Sequence, residues 1–286
     1  MLTTINRIKC NLNLMLFGAA FCSAAAMAGT SMPSDLASLA EHPFRSAEDR
    51  ARNQHRHPVE TLTFFGIQPS MSVLEIWPAR GWYTEILAPY LKDQGKLTIA
   101  SFRVDDGTMQ DDRKIFWSRI SERLTQRILK HNAHFGTVEQ TEFDPPGYMY
   151  LGLAQQYDMV LSFRNAHIWN EQGYLLDVFR AVFDVLKPQG VFGIVEHRAS
   201  RVSEISSSAV EGYLDESYVI AVAEQAGFKL QAKSEVNANS RDTKDYPKGV
   251  YALPPTLAMG TVERARYLAI GESDRMTLKF VKATSE

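Results

Sequence analysis

Two stretches of this chain hold residues whose types and spacing could do chemistry. The first is Val73-Leu-Glu-Ile-Trp-Pro-Ala-Arg-Gly-Trp-Tyr-Thr-Glu-Ile-Leu87, an apolar run, a tight turn and a helix start. A strand–turn–helix unit of this kind grips a nucleotide-like cofactor, because small residues let the backbone come close to the ligand. Glu75 stands near the end of the strand and Gly81 at the last turn position. Trp77 and Ala79 stand where two further glycines would be usual. Pro78 removes one backbone donor, and Arg80 adds a long cation to the turn. The second stretch is split between Phe163-Arg-Asn-Ala-His167 and Glu196-His197-Arg198, each placed just after an apolar run. Loops leaving the carboxyl ends of parallel strands converge on one crevice, so two imidazoles, two guanidiniums and a carboxylate are expected to approach one another. His167 is the better candidate for a general base, since imidazole exchanges protons near neutral pH and could take one from an oxygen or nitrogen. The alternative is that His167 caps a loop and His197 packs at the sheet edge.

Other patterns are weaker. His55-x-His57 and His131-x-x-His134 lack a nearby third ligand and fit solvated helix faces, so no metal is expected. No G-x-S-x-G follows any strand, which leaves a serine nucleophile without its signature. Both cysteines, Cys10 and Cys22, fall near the N-terminus, inside a segment that reads as an export signal. Arg7 and Lys9 precede an uncharged apolar run, Leu12 to Ala26, and Ala26-Met27-Ala28 gives the small-x-small pattern of a cleavage site. Residues 1–28 are therefore expected to be a signal peptide, with no membrane span left after cleavage and a periplasmic or secreted destination. The formal net charge of −2 lacks the basic excess of a nucleic-acid binder. A small-molecule partner is expected.

Alternating periodicities supply the elements that must position these groups. Helices are expected at Ser46–His55, with Ser46 and Asp49 as a capping pair, and at Pro58–Phe65, closed by Gly66. Residues 29–68 thus form an N-terminal helical extension, and 69–286 form the main domain. Strands are expected at 72–77, 96–101, 137–143, 157–163, 190–197, 228–236 and 275–282. Helices fall at 82–92, about 110–131, 172–187 and 215–226. Phe116, Ile120, Leu124 and Ile128 form an apolar stripe on the second of these helices, suited to core packing. Alternation of this kind predicts an α/β fold: a doubly wound, mostly parallel seven-stranded sheet with one antiparallel strand at its end. The polar segment from Asn237 to Gly260 is long enough to be a lid, with Tyr246, Tyr251 and Leu253 to pack it down.

The seven strands, the glycine-containing turn and Leu186-Lys-Pro-Gln-Gly190 before strand five resemble the class I S-adenosylmethionine-dependent methyltransferases. More narrowly, the chain resembles a group of exported bacterial methyltransferase-like proteins. That resemblance is carried by His57-Pro-Val-Glu-Thr-Leu-Thr-Phe-Phe-Gly66, Trp82-Tyr-Thr-Glu-Ile-Leu-Ala-Pro89, Phe163-Arg-Asn-Ala-His167 and Gly271-Glu-Ser-Asp-Arg-Met-Thr-Leu-Lys-Phe280. It implies a Rossmann-like methyltransferase sheet, S-adenosylmethionine as cofactor and a transferase acting on a small molecule or envelope component. In such sites Glu75, Trp77, Arg80, Gly81 and Asp144 would face the cofactor, while His167 and Arg164 would face the acceptor. Asp144, ahead of Pro145-Pro146, reads equally as a turn-initiating residue, and Trp77 as a large core side chain. The family's ribose-binding acid has no counterpart at the end of strand two, where Ser101-Phe102 stands and the first carboxylate is Asp105. This erosion supports a second reading, a non-catalytic binding protein using Arg80, Arg164, Arg198 and Arg241 for an anionic ligand.

Overall fold

The structure is a computed structural model describing residues 35–200 and 211–283. The expected signal segment, residues 1–28, lies outside the described residues. Seven strands form one sheet: β1 (Ser72–Ile76), β2 (Lys96–Ser101), β3 (Val138–Glu142), β4 (Tyr157–Phe163), β5 (Leu186–His197), β6 (Phe228–Ser234) and β7 (Arg275–Lys282). Their spatial order is β3-β2-β1-β4-β5-β7-β6. The pairs from β3 to β5 are parallel, and β7 runs antiparallel to both β5 and β6. This is the doubly wound sheet with an inserted antiparallel strand that the alternation predicts.

The order reverses between β1 and β4, so the crevice outside their carboxyl ends is where ligands bind in sheets of this kind. Side-chain alternation separates two cores. Leu74, Ile76, Val160, Phe192 and Ile194 face one cluster with Trp169, Phe179 and Val182. Val73, Met159, Leu161 and Val195 face the other, with Leu62, Phe65, Ile86, Leu87, Leu124 and Ile128.

Four helices precede β1, and the first and last of them pack into the second core. They are α1 (Leu36–Ala40), α2 (Ala47–Ala51), α3 (Asn53–Arg56) and α4 (Pro58–Phe65). The expected Ser46–His55 helix is broken at Arg52, although the Ser46 hydroxyl does accept from the Asp49 amide at 3.0 Å. Pro58 opens α4 and Gly66 closes it at φ +84°. After β1 come α5 (Thr84–Leu91), α6 (Asp112–Lys130), α7 (Asn132–Phe135), α8 (Ala166–Glu171), α9 (Leu175–Val185), α10 (Glu216–Gln225) and α11 (Arg264–Ile270). Helices α1, α7, α8 and α11 have no counterpart in the periodicity, because four to seven residues hold too few turns to show one.

Strand β5 starts four residues before the expected 190, running through Lys187-Pro-Gln189 to pair Leu186 with Tyr157. On α6 the core stripe is Ile120, Leu124 and Ile128; Phe116 is instead 52% exposed. Between β6 and α11, Tyr246, Ala252 and Leu253 are buried against Tyr267 of α11, so much of the Asn237–Gly260 segment packs down. Among the described residues, no helix is long and apolar enough to cross a membrane.

Candidate functional site

A cavity of about 780 Å³ opens outside the carboxyl ends of β1, β4 and β5. Glu75 forms part of its inner wall and is almost fully buried. The Thr84 hydroxyl, at the start of α5, donates to Glu75 Oε2 at 2.7 Å. Burial pushes the Glu75 carboxyl up to about 7, and the Thr84 hydrogen bond only partly offsets this. An ionised carboxylate here lacks an opposite charge, so a cation entering the cavity would stabilise it.

The turn after β1 keeps a glycine-like backbone without the glycines. Trp77 has φ +47°, Ala79 φ +52° and Gly81 φ +83°, three left-handed residues at alternate positions. Side chains rarely adopt this region; each non-glycine residue in it costs about 1–2 kcal/mol. Such strain clusters at ligand-binding turns, where the surrounding structure imposes it. The left-handed Trp77 also leaves the alternation of β1. Its indole joins the first core rather than the face shared by Val73, and Nε1 donates to the Phe143 carbonyl at 2.8 Å. Trp77 therefore lines the cavity without filling it. Arg80 stands exposed at its rim.

Gly81 turns the other way. A Cβ there would come within 2.6 Å of Leu124 Cδ1, so its missing side chain admits α6 rather than a ligand. The site also differs from the expectation for Asp144, which lies outside the cavity lining and accepts from Lys114 Nζ at 3.0 Å. Asp105 holds its own loop, accepting from the amides of Gly107 and Met109. In place of a ribose acid, Phe102 follows β2 and stacks between Trp77 (4.3 Å, 19°) and Trp117 (5.6 Å, 15°). These three rings line the β1–β2 side of the cavity.

On the β4–β5 side the imidazoles meet as expected. Glu196 is fully buried and accepts from the amides of His167 and His197 at 3.2 and 2.8 Å. Its Oε1 also lies 2.9 Å from His167 Nδ1. A carboxylate can only accept there, so Nδ1 donates to it, and in the neutral ring the lone pair sits on Nε2. The His197 ring lies 5.2 Å from the His167 ring, and its Nδ1 lies 2.5 Å from the Ser273 hydroxyl. Burial, then the charges of His167, Arg164, Arg275 and Arg56, push His197 well below its usual range, which keeps it neutral. His167, Glu196 and His197 are also the one group among the described residues whose ligand atoms lie close enough together to hold a metal ion, all within 4.8 Å. His134 is instead stacked on Phe44 at 4.0 Å and pushed down to about 4 by burial and neighbouring cations.

Arg164 lies in a left-handed conformation (φ +63°) just after β4, and its amide donates to the Val195 carbonyl. Asn165 beside it donates to the Ile76 carbonyl at 2.9 Å, tying the ends of β4 and β1 together. The sequence reading missed three charged neighbours on the same wall, Arg52, Arg56 and Glu272. Arg52 Nε and Arg56 Nε both donate to Glu272, at 2.8 and 2.9 Å, and Arg275 joins at 3.1 Å. Burial disfavours the Glu272 carboxylate, but the surrounding arginines outweigh it and hold this group well below the usual range. The i, i+4 spacing of Arg52 and Arg56 was the available signal, but nothing in the sequence showed which way it faced.

Arg198 and Arg241 lie elsewhere. The former is bound by Asp274, Glu216 and Glu235, and the latter donates to the Ala269 carbonyl. The four arginines of the binding-protein reading therefore form no common site.

No family model matches the sequence, and no curated protein matches it. Solved structures do. An S-adenosylmethionine-dependent methyltransferase from Aquifex aeolicus superposes with a TM-score of 0.53 at 15% identity, over 88% of this chain and 98% of that one. The fold is that of the Rossmann-like methyltransferases. An arsenic(III) S-adenosylmethionine methyltransferase from Chlamydomonas reinhardtii gives 0.50 at 12% identity, over 88% and 74% of the two chains. The cyclase SpnF gives 0.54 at 12%, over 81% of each. A cyclase on the same sheet shows that the architecture alone does not choose the reaction.

Proposed function

We propose that this protein is an exported S-adenosylmethionine-dependent methyltransferase that acts on a small molecule or envelope component. The observation that carries this reading is the His167–Glu196 pair, opening onto the same cavity as the buried, unpaired carboxyl of Glu75.

The residues present suit the cofactor. Glu75 offers an uncompensated carboxyl to a cationic group, and Trp77, Phe102 and Trp117 offer flat apolar faces to a ring system. Ring stacking on Phe102 stands where the family carries a ribose acid. When bound, S-adenosylmethionine supplies a methyl group activated by a sulfonium. His167 Nε2 takes the proton from an acceptor oxygen or nitrogen, and Glu196 steadies the imidazolium that results. His197, held neutral, adds no competing charge. Walls built by α2, α3 and the Val250–Thr256 segment help keep water from the reacting atoms. The export part rests on the Leu12–Ala26 run and the Ala26-Met27-Ala28 site.

Melting of the purified protein with S-adenosylmethionine or S-adenosylhomocysteine tests this reading. At about one hundred times the dissociation constant, either ligand is expected to stabilise the fold by about 2.7 kcal/mol. A flat response to both at millimolar concentration would remove the methyltransferase assignment.

A further inference from the structure

The wall that carries Arg52, Arg56 and Arg164 holds more positive charge than its protein partners balance. Arg52, Arg56 and Arg275 share one carboxylate, Glu272, and the nearest other acid, Asp49, stands 3.9 Å from Arg52. Arg52 Nη2 is buried and has no hydrogen-bond partner. The Arg164 side chain makes no hydrogen bond or ion pair among the described residues, yet burial lowers it to about 10 with Glu272 opposing. A desolvated guanidinium with free donors is costly unless something else receives them.

Arg52, Arg56 and Arg164 line the cavity beside the imidazole pair, over β4, β5 and the segment leading to β7. The aromatic rings and Glu75 line its other side, over β1 and β2. A fork of guanidinium donors matches the two oxygens of a carboxylate. We propose that the methyl acceptor is a carboxylate-bearing small molecule, with its carboxylate bound by Arg164, Arg52 and Arg56 so that its reacting atom lies at His167. The proposal rests on the transferase reading above and adds the substrate class. The same donors would also suit the amino-acid carboxylate of the cofactor, so the test separates the two sources.

Calorimetric titration of the purified protein with benzoate and with benzamide, its neutral isostere, probes the site directly. The wild type is expected to bind benzoate saturably and benzamide at least ten-fold more weakly. Arg164→Gln is expected to weaken benzoate at least ten-fold, and Arg164→Lys to restore part of that loss, while S-adenosylhomocysteine stays within about two-fold of wild type. Equal binding of benzoate and benzamide, no benzoate binding, or unchanged benzoate affinity in Arg164→Gln would each overturn the proposal. So would a variant that loses S-adenosylhomocysteine but keeps 5′-methylthioadenosine, which lacks the carboxylate, since the anion would then be the cofactor's. If benzoate behaves as expected and neither adenosyl compound binds the wild type, the carboxylate site stands and the transferase reading fails.

Discussion

Glu75 couples the site to pH. An unfolded glutamate gives up its proton near 4.5, whereas burial keeps this one protonated to about 7. Between those values the folded state binds more protons, so stability falls as pH rises through the window and levels off above it. The shift limits the swing to about 3 kcal/mol. Urea melts of Glu75→Gln from pH 4 to 8 are expected to lack this decline, the variant gaining on the wild type as pH rises. Parallel curves would mean that Glu75 is not the buried proton carrier. At the other wall, Glu196 fixes which nitrogen of His167 is free. Glu196→Gln and His167→Ala are both expected to reduce turnover by about 10²–10⁴-fold, measured by transfer of labelled methyl once an acceptor is in hand. An activity loss accompanied by lost cofactor binding would point instead to a structural role for the pair.

At the scale of elements, the turn between β1 and α5 and the arginine wall set the geometry. Ala79 holds a left-handed backbone that glycine adopts freely, so Ala79→Gly is expected to stabilise the protein by about 1 kcal/mol in chemical denaturation. Gly81→Ala is expected to destabilise it by about 1–3 kcal/mol, because the added methyl meets Leu124 in a conformation already unfavourable to side chains. Glu272→Gln removes the negative charge shared by three arginines and is expected to cost about 3–5 kcal/mol, read as a lower denaturation midpoint. The sequence showed where this turn lies, since strand–turn–helix periodicity is local. It did not show that Trp77 and Ala79 keep the glycine geometry, because identity at a position does not report φ when tertiary packing imposes it. The family resemblance puts Gly81 against the cofactor, whereas its free side faces Leu124, 43 residues away in sequence (124 − 81).

For the whole molecule, the order of helices and strands was legible because each long element has its own hydrophobic period. The antiparallel β7 and the seven-stranded sheet followed from that pattern. The site was legible only where neighbouring strands end in chemistry-bearing residues, as with His167 and Glu196. Arg52, Arg56 and Glu272 join across more than 200 residues, and no local pattern encodes that meeting. Asp144 was misplaced for the same reason: a neighbouring helix supplies Lys114, which holds it outside the cavity.

In the proposed function, the cavity beside Glu75 holds a cationic adenosyl ligand. Calorimetric titration of wild type and Glu75→Gln with S-adenosylmethionine at pH 6 and pH 8 measures it directly. The account predicts one site per chain, several-fold tighter at pH 8 in the wild type, and weak, pH-independent binding in Glu75→Gln. Absence of binding at both pH values, or equal affinity in the variant, would contradict it.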